Sequence, residues 1–433
     1  MFAGTAKIDI TPQSSVWMDG MIREHKSTGI HDPLYARALY LGPDEDPGNA
    51  FVLVAMDIVG LSAEDGMSVR RNAEKNSGIP RDHIILAASH THSGPATMGA
   101  FNPKETEYLQ ELSKKLVTVI QQASGSTVPA AAGCTSGRED TISHYRRFRT
   151  KDGQVVMIWE PYPVENIVGP LGEIDPELGV LKVTGTRDGK GDLCIAFNHA
   201  GHPNVLSGDN YLISGDYAGR AAQLVEEEFG CTGMFFNGAQ GTMDVDGFKD
   251  RDWEGRERIG KTLSEAVKSV AAGLRTSPSV HVRGGSIRYS IPSRKISTQE
   301  YSWAEKILEQ TGGKIEPLAD GIGDDYLAVL YQSLRSREQE ENHAEQICVA
   351  LDDSAFLSFP GELFTEIGME IKHASPFKHT YIIGLANGTM GYFPTRKAIS
   401  EGGYAVVTRR FDDSAADLVK EHSLSLLQEV YKR

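Results

Sequence analysis

The chain has 433 residues, and its 44 lysines and arginines against 59 aspartates and glutamates give a formal net charge of −15. This acidic excess argues against nucleic acid as a partner, because binding to a polyanion requires a basic surface. A content of 40% hydrophobic and 24% charged residues is typical of a folded protein with a sizeable core.

No run approaches the roughly 18 apolar residues of a transmembrane helix, so we predict no membrane span. The amino terminus reaches Lys7 and Asp9 before the apolar core of a secretory signal could form. The four cysteines are scattered and include no CxxC pair, which indicates reduced, buried thiols. We therefore expect a cytoplasmic protein, and the sequence leaves its oligomeric state open.

Short β-rich runs alternate with longer amphipathic segments, which predicts a mixed α/β fold with one or more sheets flanked by helices. The predicted strands are Phe51–Ile58, His83–Ser89, Leu193–Asn198, Gly233–Phe236, His281–Tyr289, Gln346–Ala350 and Tyr381–Leu385. The predicted helices are Glu105–Gln122, Asp216–Phe229, Glu254–Leu274 and Ala415–Tyr431. With no repeat or linker visible, a single interrupted domain over residues 1–433 is the simplest organisation.

The stretch from Lys295 to Glu345 is polar and favours helix. Its charge run from Arg335 to Glu341 is typical of a solvated helical face, which is the interpretation we favour. An inserted helical hairpin, or a lid over a site, is the alternative.

The sharpest motif is Ser89-His90-Thr91-His92-Ser93-Gly94-Pro95, directly after a predicted strand. In an extended segment residues i and i+2 project to the same side, so we expect His90 and His92 to face one cavity. Both imidazoles can bind zinc, or one can bind metal while the other transfers protons. A His-x-His pair is as often structural, but the Ser-Gly-Pro turn suits the rim of a site.

A second pair, His199 and His202, also follows a predicted strand. Because strand carboxyl ends converge in α/β proteins, we expect this pair to lie near the first. Two histidine clusters without nearby cysteines favour a catalytic over a structural zinc site.

A third strand runs into the glycine-rich turn from Asn237 to Asp244. The turn lacks the lysine of a phosphate-binding GxxxxGK[ST] loop, so nucleotide binding is weakly supported. Its polar side chains are predicted to line a pocket, with a solvated turn as the equally weighted alternative. They are Asn237, Gln240, Thr242 and Asp244.

Together these segments resemble the neutral, non-lysosomal ceramidase family of zinc-dependent amidases, and specifically its catalytic domain. The matching motifs fall in the family's order along nearly the whole chain. They are residues 3–12, 29–37 and 91–95, His202-Pro203, Asn237-Gly238, Pro360-Gly361-Glu362 and Gly391-Tyr392. Because the sequence ends at Arg433, we expect no C-terminal immunoglobulin-like domain of the kind that the family carries.

The resemblance implies four zinc ligands, which are His90, His202, Glu362 and Tyr392. Without the resemblance, Glu362 would be interpreted as an acidic residue at the N-terminus of a helix, and Tyr392 as an aromatic residue of the core. The resemblance further implies that His92 contacts substrate or the developing oxyanion beside the metal.

The remaining implied residues are Arg146, which would polarise the scissile carbonyl, and Tyr404, a further pocket tyrosine. Arg147 is the alternative register for the arginine. The family carries a serine in a Gly-Asp-Val-Ser-Pro turn, whereas this chain has Asp244 at that place. This difference argues against a mechanism that needs the serine. It also argues against ceramide as the substrate.

The implied function is a zinc-dependent hydrolase in which metal-activated water attacks an amide carbonyl. We expect a small, soluble substrate, since neither a secretion signal nor an apolar acyl groove is visible. Two alternatives stay open. One is a metal-dependent enzyme acting on a carbohydrate, an ester or a lactone, with Asp244 and Glu362 as acid or base, and the other is a non-catalytic ligand-binding protein on the same scaffold.

Overall fold

The computed structural model describes residues 1–186, 191–245, 251–318 and 320–433. The strands are β1 Phe2–Asp9, β2 Gly29–Ile30, β3 Tyr35–Gly42, β4 Phe51–Met56, β5 Ile84–Ala88, β6 Val128–Arg138, β7 His144–Tyr145, β8 Arg147–Thr150, β9 Val155–Met157, β10 Ile167–Pro170, β11 Glu177–Gly185, β12 Asp192–His199, β13 Leu212–Ile213, β14 Thr232–Asn237, β15 Met243–Asp244, β16 Val282–Ile291, β17 Asn342–Leu351, β18 Ser354–Ser358, β19 Glu362–Leu363, β20 His379–Ile383 and β21 Tyr392–Phe393.

The helices are α1 Ala63–Ser77, α2 Thr106–Gly125, α3 Asp216–Phe229, α4 Trp253–Ala272, α5 Thr298–Thr311, α6 Asp324–Ser336, α7 Thr365–Ala374, α8 Arg396–Glu401, α9 Tyr404–Val407 and α10 Ala415–Lys432. Every predicted strand and helix is present, with ends that differ by four residues or fewer. The predicted mixed α/β class is confirmed.

Two sheets form the centre of the fold. The larger has eight strands in the order β14-β12-β11-β6-β1-β3-β4-β5, and the smaller has four in the order β16-β17-β18-β20. Both are mixed, since the pairs β4·β5, β12·β14 and β18·β20 are parallel and the others antiparallel. Parallel pairs require helical crossovers, which α1, α3 and α7 provide.

The two sheets and the helices on their outer faces form four layers, which enclose four hydrophobic clusters. The two sheets face each other across a core in which Leu53 and Ile85 of the large sheet share one cluster with Val349 and Tyr381 of the small sheet. Helices α1 and α2 cover one half of the large sheet's outer face, and α3 with α4 cover the other. Helices α7 and α10 cover the small sheet. Amphipathic helices on both outer faces are how a two-sheet core is shielded from water.

The segment from 295 to 345 contains α5 and α6, which pack together around the buried residues Ala304, Ala328 and Tyr331. Serine 297 and Glu300 form a capping box at the start of α5. The favoured interpretation as a solvated face is incomplete, because one side of α6 reaches the cavity described below. Within the described ranges, no helix has the length and apolarity needed to cross a bilayer.

Candidate metal centre

Three side chains converge at the carboxyl ends of β5, β12 and β18. The Nε2 atom of His202 lies 3.0 Å from Oε2 of Glu362, and Nε2 of His90 lies 3.6 Å from the same oxygen. The Tyr392 hydroxyl lies 3.5 Å from His202 Nε2. Tetrahedral zinc with ligand bonds of 2.0–2.1 Å holds its ligand atoms about 3.3 Å apart. The spacing of His90, His202 and Glu362 therefore fits one zinc ion, and the Tyr392 hydroxyl lies within the same range of His202.

Both histidines are held with Nε2 turned toward the cluster. The Nδ1 atom of His90 lies 2.7 Å from the Val59 carbonyl oxygen, and Nδ1 of His202 lies 2.9 Å from that of Met243. A carbonyl can only accept, so Nδ1 carries the proton and Nε2 presents its lone pair. This arrangement is typical of metal-binding histidines.

Electrostatics keep the cluster in the protonation state that binds a cation. Burial lowers the pKa of His90 to about 4, so this imidazole is neutral at pH 7. Burial alone would raise the pKa of Glu362, but His90, His202 and Arg146 hold it at about 2. The cluster therefore offers neutral imidazole and ionised carboxylate, which metal binding requires.

The backbone at His90 differs from the extended segment that the sequence predicted. β5 ends at Ala88, and His90 has φ 79, in the left-handed region. The i, i+2 argument therefore does not apply, although His90 and His92 both line the cavity. A non-glycine residue in this conformation costs about 1–3 kcal/mol, which the surrounding hydrogen bonds offset. The His90 N–H donates to the Ile58 carbonyl.

Glu362 and Tyr392 reach the cluster through a two-stranded parallel ribbon. β19 pairs with β21, and Glu362 lies opposite Tyr392 in register. The Glu362 N–H also donates to the Gly391 carbonyl at 2.9 Å. This pairing fixes the two side chains against each other, although they are 30 residues apart in the sequence.

Arg146 borders the cluster on its buried side. Its Nη1 lies 3.2 Å from His202 Nε2, and its Nη2 donates to the Gly241 carbonyl at 2.8 Å. The guanidinium lies 5.2 Å from the centres of the Trp159 and Tyr392 rings. Burial acts to lower the pKa of Arg146, but Tyr392, Asp244 and Glu362 outweigh it and keep the group charged.

Arg147 points away from this site. Its Nη2 lies 3.2 Å from Oε2 of Glu401, and it donates to the Gly402 carbonyl. Of the two registers considered for the arginine, the structure brings Arg146 to the cluster.

Asp244 lies behind the cluster and is fully buried. Its Oδ1 is 3.8 Å from Arg146 Nη1 and 4.0 Å from His202 Nδ1. Neither carboxylate oxygen has a hydrogen-bond partner among the described residues. Asp244 therefore faces Arg146 and His202 from the side opposite the cavity.

The cavity has a volume of about 110 Å³, and its floor includes His90, His92, Glu362 and Tyr392. His92 is buried, and neither ring nitrogen has a hydrogen-bond partner in the part of the chain that the structure describes. Burial, with His90 and His202 nearby, holds its pKa well below 6.5, so the ring is neutral. Tyr404 lines the wall, with its ring centre 5.7 Å from that of Tyr392.

The remaining predicted residues lie outside this cavity. Of the described residues that line it, none belongs to the turn from 237 to 244. Asn237 donates to the carbonyls of Ser89 and Gly201, and Thr242 donates to Thr365 Oγ1. Gln240 is fully buried. Asn237 and Thr242 link the strand ends that carry the cluster, whereas the Gln240 amide has no hydrogen-bond partner among the described residues. A direct role of the three side chains in substrate binding stays a prediction.

Several cavity residues were missed by the sequence analysis. They are Asp19, Phe101, Tyr326, Leu330 and Arg410, which come from three distant loops and from α6. Asp19 precedes the positive-φ residue Gly20, and Arg410 follows a second arginine, but neither pattern is specific. Only the fold brings these residues together.

One protein family and several known proteins are similar to this chain in sequence. A family model described as neutral/alkaline non-lysosomal ceramidase, N-terminal, matches residues 2–238. Neutral ceramidase of Pseudomonas aeruginosa is 28% identical over 231 residues, which are 52% of this chain and 33% of that protein. Neutral ceramidase A of Dictyostelium discoideum is 26% identical over 230 residues, 52% of this chain and 31% of that protein. The matched region thus spans about a third of these relatives.

Solved structures extend the likeness to the whole chain. The crystal structure of neutral ceramidase from Pseudomonas aeruginosa matches with a TM-score of 0.75 at 18% identity, covering 100% of this chain and 74% of that one. A ceramidase complexed with C2 gives the same TM-score and identity and is covered to 75%. At this identity the likeness establishes the fold. Glu362, Tyr392 and Tyr404 lie beyond the family match, so their place rests on geometry.

Proposed function

This chain belongs to the neutral/alkaline non-lysosomal ceramidase family, and on that premise we propose that it is a zinc-dependent hydrolase of amide bonds in small N-acyl compounds. The observation that carries the proposal is the convergence of His90, His202 and Glu362 at the floor of a cavity. Three ligands from three strand ends that open onto a cavity suit a catalytic metal better than a structural one, because a catalytic zinc keeps a position for water, and Tyr392 would be a further ligand beside them.

Zinc, when bound, lowers the pKa of a coordinated water toward about 7 and polarises a carbonyl oxygen. His90, His202, Glu362 and Tyr392 are the residues that we propose hold it. Two nitrogen and two oxygen donors match the ligand preference of Zn²⁺.

Hydrolysis transfers the oxygen of water to the acyl carbon, breaks the C–N bond and gives the amine a proton. Negative charge develops on the carbonyl oxygen during this change, and fixed cationic or N–H donors stabilise it. Arg146 is charged and lies 3.2 Å from His202 Nε2, on the buried side of the cluster and outside the described residues that line the cavity, and we assign it this role from that side. The neutral His92 ring can donate a second hydrogen bond from the cavity wall.

Tyr404 is the group that we assign to the leaving amine. Burial raises the pKa of this tyrosine, so its phenol keeps its proton at pH 7 and can pass one to the nitrogen. Asp244, behind Arg146 and His202, orients those two side chains instead of attacking substrate. This role differs from the acid or base that Asp244 would be in the alternative carbohydrate chemistry.

The test is a panel of amides assayed with chelator-treated and zinc-restored protein. The panel contains N-acyl amino acids, N-acyl amino sugars and a short-chain ceramide, with a lactone and an oligosaccharide as other bond types. We expect zinc-restored protein to hydrolyse at least one amide and Arg146→Gln to lose about 10²–10³-fold in kcat. Arg147→Gln is the matched control and keeps kcat. Turnover of the oligosaccharide or lactone alone would overturn the proposal.

A further inference from the structure

Arg410 is a cation of the cavity wall whose side chain has no hydrogen-bond or ion-pair partner among the described residues. Its half-buried side chain lines the cavity, and it forms no hydrogen bond or ion pair with any residue that the structure describes. The other arginines nearby are engaged. Arg409 pairs with Asp413, Arg146 with Gly241, and Arg147 with Glu401. A buried or half-buried guanidinium is normally paired, so its position beside a cavity points to a ligand.

The guanidinium lies close to the proposed metal ligands. A Cβ atom on Gly391 would lie 3.7 Å from Arg410 Nε, so the arginine runs alongside that residue. Gly391 in turn accepts a hydrogen bond from the Glu362 N–H and precedes Tyr392. Arg410 and the proposed metal ligands line the same cavity, so a short substrate can contact both.

The two carboxylates that line the cavity make no ion pair with Arg410 among the described residues. Asp19, the other carboxylate there besides Glu362, turns Oδ2 to the N–H groups of Met98 and Gly99. It makes no ion pair with Arg410 among the described contacts. Phe101 and Leu330 add apolar surface, and the volume of about 110 Å³ accommodates a short chain.

We propose that Arg410 binds the carboxylate of the substrate, so that the preferred substrates are short N-acyl amino acids. The inference rests on the proposed function, because it names the substrate class of the same site. A guanidinium pairs with a carboxylate through two parallel N–H···O bonds. One guanidinium balances the single charge of a carboxylate, whereas a phosphate monoester carries nearly two.

The experiment compares N-hexanoylglycine with its uncharged analogue N-hexanoylglycinamide. Wild-type protein, Arg410→Gln and Arg409→Gln are assayed for kcat/KM, with Arg410→Lys as a variant that keeps the charge. We expect Arg410→Gln to lower kcat/KM for N-hexanoylglycine about 10- to 100-fold, mainly through KM, as for loss of a charged hydrogen bond. For the glycinamide the change is less than about threefold, and Arg410→Lys recovers part of the loss.

Binding gives a second readout that does not depend on turnover. In chelator-treated protein, calorimetry with N-hexanoylglycine measures its Kd directly. We expect a Kd about tenfold or more higher in Arg410→Gln and unchanged in Arg409→Gln, which keeps the cavity wall intact.

The two proposals fail in different ways. Arg410-dependent binding without hydrolysis of either amide would refute the proposed function and leave the anion site standing. Hydrolysis of both amides with equal kcat/KM in wild type, or equal losses for both in Arg410→Gln, would refute the anion site and leave the hydrolase standing.

Discussion

Gly20 makes room for the His92 ring. Its φ is +92, and a Cβ at this position would lie 2.4 Å from His92 Cγ. Any other residue at position 20 would therefore lose stability for two reasons. Its backbone would be in the left-handed region, and its Cβ would overlap the buried His92 ring. His92 cannot move freely, because its carbonyl accepts from Arg23 and its N–H donates to Pro203.

We expect Gly20→Ala to lower the free energy of unfolding by about 2–4 kcal/mol, the sum of backbone strain and overpacking. Gly153 is the matched control, since it has φ +83 but nothing within 4 Å of its added Cβ. Gly153→Ala pays only the backbone cost of about 1–2 kcal/mol. Urea unfolding of both variants measures the difference, and equal losses would contradict the overlap with His92.

Asp19 gives the protein a pH-dependent stability. Burial raises the pKa of Asp19 from its usual 3.8 to about 6, against the lowering effect of N–H donors in residues 98–101. The folded state therefore binds this proton more tightly than the unfolded chain. The contribution of Asp19 is fully favourable below about pH 4 and is lost as pH rises through 6.

An asparagine side chain is uncharged, like a protonated carboxyl group. The stability of Asp19→Asn therefore does not fall for this reason when pH rises through 6. At each pH we compare the free energy of unfolding of Asp19→Asn with that of wild type. Between pH 5 and pH 8 we expect this difference to shift in favour of the variant by about 1–2 kcal/mol. Urea titrations at the two pH values, both with chelator, provide the measurement. A difference that is the same at pH 5 and pH 8 would show that Asp19 does not titrate in this range.

At the scale of elements, α6 forms part of the cavity. Tyr326 and Leu330, four residues apart on the helix, line the cavity, while Ala328 and Tyr331 pack in the cluster shared with α5. One helix face therefore contacts substrate space and another holds the two helices together. The segment acts as a wall of the site.

Truncation of Leu330 should weaken substrate binding without changing the chemistry. We expect Leu330→Ala to raise KM for a hexanoyl amide about tenfold, as for loss of one apolar contact, with kcat nearly unchanged. Ser333→Ala, on the exposed side of the same helix, leaves KM unaltered. Steady-state kinetics separate the two parameters. A fall in kcat with constant KM in Leu330→Ala would contradict this placement.

The sequence predicted the long elements of the fold but not the short ones that carry part of the site. Apolar periodicity located α3 and α10, because each helix buries one continuous face, and continuous apolar runs located β4 and β5, which are buried on both faces. The same periodicity could not say which apolar residues of α6 face α5 and which face the cavity. β19 and β21 have two residues each, too few for any period, so only the motif resemblance indicated Glu362 and Tyr392.

At the scale of the whole molecule, the strand order of the sheets was beyond the sequence. β6 lies between β1 and β11, and no local pattern encodes such long-range neighbours. The order places β5 and β12 near opposite ends of the large sheet. Their carboxyl ends meet because β14, the neighbour of β12, also contacts β5, and Asn237 at the end of β14 donates to the Ser89 carbonyl. Family membership, predicted from the motifs, is confirmed by the match over residues 2–238. The single-domain organisation and the cytoplasmic location stay predictions.

The central claim is that one zinc ion is bound by His90, His202, Glu362 and Tyr392. The most direct measurement is the zinc content, by mass spectrometry, of protein purified without chelator. We predict about one zinc per chain in wild type and in His199→Gln, whose side chain lies near Glu139 and outside the cluster, and almost none in His202→Ala. Wild-type protein without metal, or His202→Ala with a full complement of zinc, would contradict the account.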